Sequence, residues 1–250
     1  MSCDPAGFRP PSTLAAGLAL VAALLAPSGN TAAQLGEIFK GLDAPPTARG
    51  EARIGAGLRE ALKIGTENAV LQTGRTDGFF ANQAIKILLP AQLRAIETPL
   101  RFVGYGPQLD EFVLSMNRAA EKAVPFAKEI FWEAIGEMTF EDARSILQGS
   151  DTAATDYFRA KTSKKLYAAF RPTVERAMKE TNVVRRYEDL LARYREIPFT
   201  ESISFDINRY VTEKTIDGLF YVVAQEERKI RTDPAARVTG LLKEVFGGRK

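Results

Sequence analysis

Apolar side chains recur at spacings of three and four along most of this chain, and that period predicts helices almost throughout. A first helix is expected over 51–73, with Ile54, Leu58, Ala61, Leu62, Ala69 and Leu71 near one face. Gly55, Gly57 and Gly65 lower its intrinsic stability. The stretch "GRTDGFFANQAIKILLP" follows. Gly74, Asp77, Gly78 and Pro90 bracket an apolar loop there, carrying Phe79, Phe80, Ile85, Ile87, Leu88 and Leu89; it is expected to pack on the domain, the alternative being that it meets a partner.

A short helix over 90–103 ends at "GYGP", and Pro107 suits the first turn of the next. That next helix carries Phe112, Met116, Ala119, Ala120, Ala123, Ala127, Ile130, Phe131 and Ala134 at core spacings, and Pro125 predicts a break near 123–124. Thr139 followed by Asp142 reads as an N-terminal cap, with Gly149 as the stop. Further helices are expected over 150–170, 172–182, 183–194 and 206–231, with 195–205 irregular. Asp206 caps the 206–231 helix, and Asp233 before Pro234 opens the final one. No run alternates convincingly enough for a sheet, and no repeat is visible. The expected architecture is all-α, a non-repeating bundle of about eight helices.

The start of the chain reads differently. An apolar run from Leu14 to Ala26 is too short to span a membrane; Arg9 precedes it, and Pro27, then the small residues Thr31, Ala32 and Ala33, follow it. Residues 1–33 are therefore expected to be a cleaved signal peptide, 34–50 a linker, and 51–248 a single helical domain exported to the periplasm.

Composition narrows the chemistry. The chain has no histidine, and its one cysteine is Cys3. Ser-His and Cys-His nucleophile systems, structural zinc and His-based metal sites are excluded on that ground, whereas an all-oxygen Mg²⁺ or Ca²⁺ site is not. No phosphate-cradling glycine loop and no G-x-S-x-G turn occurs. Glu129, Glu133 and Glu137 follow one another at one-turn spacing, as on a solvated face. A net charge of +3 is too mild to suggest nucleic acid. Charge is nonetheless uneven: 158–195 holds eleven basic residues against four acidic ones, a candidate surface for anionic lipid.

Two polar constellations are candidate binding sites. On the helix after Pro107, Asn117 and Glu121 share a face, and Arg118 can pair with Glu121. In "LQGSDTAATDYFRAKT", Gly149 stops one helix, and Ser150 or Asp151 is expected to cap the next. Thr152 and Thr155 add hydroxyls where free amides could hold an anion. The expectation is one contact surface made of Asn117, Arg118, Glu121, Asp151, Thr152 and Thr155.

"GLREAL", "DGFF", "SMNRAAEKAVP", "GSDTAATDYFRAKT" and "DGLFYVVAQEERKIRTDPAAR" together resemble, over about 51–248, the bacterial exported family filed as domain of unknown function 4197. The resemblance implies an all-helical domain behind a signal peptide in Gram-negative bacteria. It implies no activity and supplies no functional residues. The leader departs from the pattern in its weakly basic start. The reading is a non-enzymatic binding or interaction module of the cell envelope, its partner an unknown envelope protein or a small ligand. No cofactor, no resident metal and no nucleic-acid partner is expected. The alternatives are a carboxylate-based, Mg²⁺- or Ca²⁺-dependent enzyme, and a membrane-surface protein using 158–195.

Overall fold

The computed structural model describes residues 46–180 and 205–237, with Arg185, Glu188, Asp189, Ala192, Thr239, Gly240 and Lys243 as single positions beyond them. The signal peptide expected at 1–33 lies outside the described residues. So do 34–45 of the linker and most of the segments expected over 183–204 and 237–247.

Among the described residues the regular structure is helical throughout, as the hydrophobic period predicts. It comprises α1 (Pro46–Gly74), α2 (Ala91–Phe102), α3 (Gly106–Ala123), α4 (Ala127–Gly136), α5 (Phe140–Gln148), α6 (Ala153–Glu180) and α7 (Ile207–Thr232). Short 3₁₀ turns occupy Val124–Phe126 and Pro234–Ala236. α1 begins five residues before the expected start at 51, so 46–50 of the expected linker are helical. Pro46 suits a first helical position, where its missing N–H costs nothing and its fixed φ is already helical.

The prolines separate into two outcomes. Pro125 ends α3 as expected, and the chain passes through the 3₁₀ turn into α4. Pro172, expected to divide two helices, does not: α6 runs unbroken across it. The one amide bond lost there is outweighed by continuity of the buried face, since Leu166, Phe170, Val174 and Met178 are all fully enclosed. The caps read from sequence form. Thr139 and Asp142 make a reciprocal capping box on α5, Asp206 accepts from the Arg209 amide, and Asp233 accepts from the Ala235 amide.

α6 and α7 are the central pair; α3 packs on α6, α1 packs on α7, and α4 bridges α1 and α6. Phe131, Phe158 and Phe220 join α4, α6 and α7, with Phe131 at 5.2 Å from Phe158 and 6.0 Å from Phe220 between ring centroids. α1 is rotated slightly from its expected face: Leu58, Ala61, Leu62, Ala69 and Val70 are buried, while Ile54 is 40% and Leu71 65% exposed. The face is set by α7, which approaches Gly65 so closely that a Cβ there would touch Ile230 at 3.4 Å.

The segment between α1 and α2 packs on the domain, as expected. Asp77 takes a positive φ of 65°, and a Cβ on Gly78 would lie 2.5 Å from the Gln72 carbonyl oxygen. Only glycine fits that turn under the end of α1. The chain then passes through successive turns to Ile85 and continues without turns over 86–90, burying Phe79, Ile85, Ile87 and Leu89 and leaving Leu88 52% exposed. No helix among the described residues is long and apolar enough to cross a membrane.

Candidate functional site

The candidate residues on α3 form a polar network whose object is the segment between α1 and α2. Asn117 is fully buried. Its Oδ1 accepts from the Ile87 amide at 2.8 Å, and its Nδ2 donates to the Ile87 carbonyl at 2.9 Å and to the Val113 carbonyl at 2.7 Å. The side-chain amide thus pairs with Ile87 as a neighbouring strand would. Glu121, also buried, accepts from the Phe79 and Phe80 amides at 3.0 and 3.2 Å and from Arg118 at 2.6 Å. Arg118 continues to Asp77 at 2.6 Å. The three residues therefore secure both ends of one loop, and their hydrogen-bonding capacity is largely spent inside the fold.

The corner before α6 holds an anion, but from within. Glu227 of α7, 7% exposed, accepts from the Ala154 amide and the Thr155 amide at 2.9 Å each and from the Thr155 hydroxyl at 2.8 Å. Arg231, one turn on, donates to the same carboxylate at 3.0 Å from Nε and 2.8 Å from Nη2, and to the Ile146 carbonyl at 2.8 Å. A carboxylate on the orphan amides of a helix start is the favourable arrangement for both dipole and hydrogen bonds.

This corrects the expected cap. Asp151 is exposed and makes no hydrogen bond among the described residues. Ser150 only approaches the Thr152 amide at 3.4 Å, and Thr152 is half-buried beside it. Gly149 is required by crowding, since a Cβ would lie 2.6 Å from that of Ala153.

The six candidate residues do not share one surface. The α3 network meets α7 through Phe79, whose ring lies 2.6 Å from where a Gly218 Cβ would stand. The corner meets α7 at Glu227, nine residues on, about 13 Å along the axis at ~1.5 Å per residue. Four clefts, of about 380, 400, 220 and 20 Å³, are lined by none of the six.

The open geometry lies elsewhere, on either side of residues 86–89. A cleft of about 380 Å³ separates this segment from α7, lined among others by Lys86, Leu88, Arg94, Tyr210, Lys214 and Tyr221. A second, of about 400 Å³, lies toward α2 and α3 and shares Lys86, Leu88, Leu89 and Arg94 with the first. Tyr210 donates from its hydroxyl to the Leu88 carbonyl at 3.0 Å. Burial pushes the Tyr210 phenol up, and the Arg94 charge opposes that shift. Lys86 sits 4.1 Å above the Phe80 ring. Neither Lys86 nor Arg94 forms an ion pair among the described residues.

Sequence reasoning names Leu88 only as part of the apolar loop and does not single out Lys86 or Arg94. A signal existed: Ile85, Ile87 and Leu89 alternate with Lys86 and Leu88, the period of an extended segment with one face buried. Glu227 and Arg231 were likewise legible as an i, i+4 pair on the inward face that carries Val223 and Ile230.

The basic candidate surface is partly neutralised where it is described, at three of its positions. Arg159 faces Asp217 at 3.4 Å, Lys165 meets Glu133 at 2.9 Å, and Arg171 meets Glu175 at 2.8 Å and Asp206 at 3.2 Å. Among the described residues no group of three or more Asp, Glu, His or Cys gathers as metal ligands.

No curated protein and no solved structure matches the chain significantly. A family model described as "Protein of unknown function (DUF4197)" matches residues 48–247. That span covers every helix described here except the first two residues of α1, and the chain therefore belongs to this family.

Proposed function

We propose that this protein is a non-enzymatic binding module of the cell envelope, exported to the periplasm, whose contact face is residues 86–89 with the two clefts beside them. The observation that carries the reading is a contrast of saturation. The buried carboxylates Glu121, Glu226 and Glu227 are each closed by donors of their own fold. Lys86, Leu88 and Arg94 instead stand beside open space. A carboxylate held by three or four internal donors serves position, not proton transfer. A segment with one face locked inward by Asn117 and the other open is preorganised for contact. The membrane-surface alternative is weakened only where Arg159, Lys165 and Arg171 of α6 are taken up in ion pairs.

Two measurements test this. A photo-reactive benzoylphenylalanine at position 88 should yield a discrete adduct in envelope fractions, whereas the same group at exposed position 137 should not. Equal labelling at both positions, or none at 88, sinks the contact-face reading. Fractionation of cells making the full chain should recover it in the periplasm with the leader removed. Full-length protein in the cytoplasm would sink the export reading.

A further inference from the structure

We infer that the cleft between α7 and the segment ending at Leu89 is a site for a small organic anion, an apolar body carrying a carboxylate or phosphate. The inference rests on the reading of residues 86–89 as the contact face, and it specifies the chemistry of what that face takes.

The apolar part of the site comes from the fold. Phe79 occupies the space a side chain at position 218 would need, so α7 presents a bare backbone there. Ile85, Ile87 and Leu89 turn inward, and the more exposed Leu88 and Tyr221 stand at the opening. About 380 Å³ falls in the range of small-molecule sites.

The charge comes from three cations, Lys86, Arg94 and Lys214, against one carboxylate, Asp217. That carboxylate is already engaged by Arg159 at 3.4 Å and Lys214 at 3.7 Å. Arg94 and Lys86 form no ion pair among the described residues, although the Lys86 charge reaches Asp110 on the side of the second cleft. The second cleft shares Lys86 and Arg94 but sets two carboxylates against its three cations, so its excess is smaller; its Arg101 is clamped by Glu97 at 2.9 Å and Asp110 at 2.6 Å. An anion is therefore favoured on the α7 side, where a guanidinium can form charge-assisted hydrogen bonds with either oxyanion. The adjoining apolar wall adds affinity for a ligand with a hydrocarbon or aromatic body.

Naphthoate, its neutral amide and inorganic phosphate are suitable probes, titrated into the full chain by calorimetry. Naphthoate should bind about tenfold or more tightly than the amide, more weakly as salt rises, and Arg94→Gln and Lys214→Gln should each erode that preference. Competition by phosphate would also support the inference and mark the anion end as the dominant contact. Equal binding of acid and amide, no binding of any probe, or a preference untouched by both substitutions would overturn it. Circular dichroism of each variant controls for folding. Cross-linking from position 88 with no anion preference would sink this inference alone; loss of that cross-link would sink the underlying reading.

Discussion

The corner where α6 begins and the cleft beside α7 hold the same kinds of groups, guanidinium, carboxylate and apolar wall, yet they differ in how charge is answered. At the corner, Glu227 meets two helix amides, a hydroxyl and Arg231, all within 3.0 Å. At the cleft, Arg94 and Lys86 face open volume. The difference teaches that a polar cluster is not a site by its residue types. The corner is closed because α7 delivers its own anion to the helix start; the cleft is open because its one carboxylate, Asp217, is taken up by Arg159 and Lys214.

The largest expected effect tests that closure. Glu227→Ala should destabilise the protein by about 3–5 kcal/mol in chemical denaturation, because it strands buried Arg231 and two helix amides. Glu227→Gln keeps the shape and should cost less. If the alanine variant lost under about 1 kcal/mol, the corner would not be the closed element described here.

Next is the lock on the extended segment. Asn117→Leu leaves both peptide groups of Ile87 without their partner and should cost about 3 kcal/mol. It should also raise amide hydrogen exchange over 79–89 above that of the rest of the domain. A uniform rise would mean the segment has no separate dependence on Asn117.

Gly218→Val drives a side chain into Phe79 and should cost about 1–3 kcal/mol by overpacking. It should narrow the cleft as well, so a variant of native stability with unaltered probe binding would contradict the close approach.

A pH experiment sharpens the closed side. Burial alone would push the Glu226 carboxyl up, but hydrogen bonds from Lys229, Gln72 and Asn68 and the Lys229 charge bring it below the ordinary carboxylate range. A value lower in the folded state than in the unfolded one contributes stability above the unfolded value, and that contribution fades as pH falls through the folded one. The stability gap between native protein and Glu226→Gln should therefore shrink below about pH 4. A gap that widened on acidification would reverse the assignment.

The smallest stability effect belongs to the cleft. Arg94→Gln should change unfolding free energy by under about 0.5 kcal/mol while reducing anion binding. A large destabilisation would show that Arg94 serves the fold, and the contrast between the two regions would fail.

Much of the fold is legible in the residues. Spacings of three and four place the buried faces of α3 and α7, Pro125 marks a real break, and the caps at Thr139, Asp206 and Asp233 form where they are read. These are local effects, complete within one turn or two, so a linear reading reaches them. Pro172 misleads because one missing hydrogen bond is weighed against four side chains of α6 that the packed domain encloses. Asp151 misleads because a local capping side chain and a remote one compete for the same amides, and Glu227 is a distant residue in sequence.

The sequence by itself determined an all-α chain, the lack of histidine and cysteine chemistry within 46–250, and the positions of its caps and breaks. Only the tertiary structure decided that Asn117 pairs with Ile87, that Glu227 closes α6, and that Lys86 and Arg94 are left facing a cleft. Those outcomes depend on which helices meet and at what separation. Helix propensity and period fix a residue's face, but a partner arriving from thirty to seventy residues away fixes whether the charge on that face is answered.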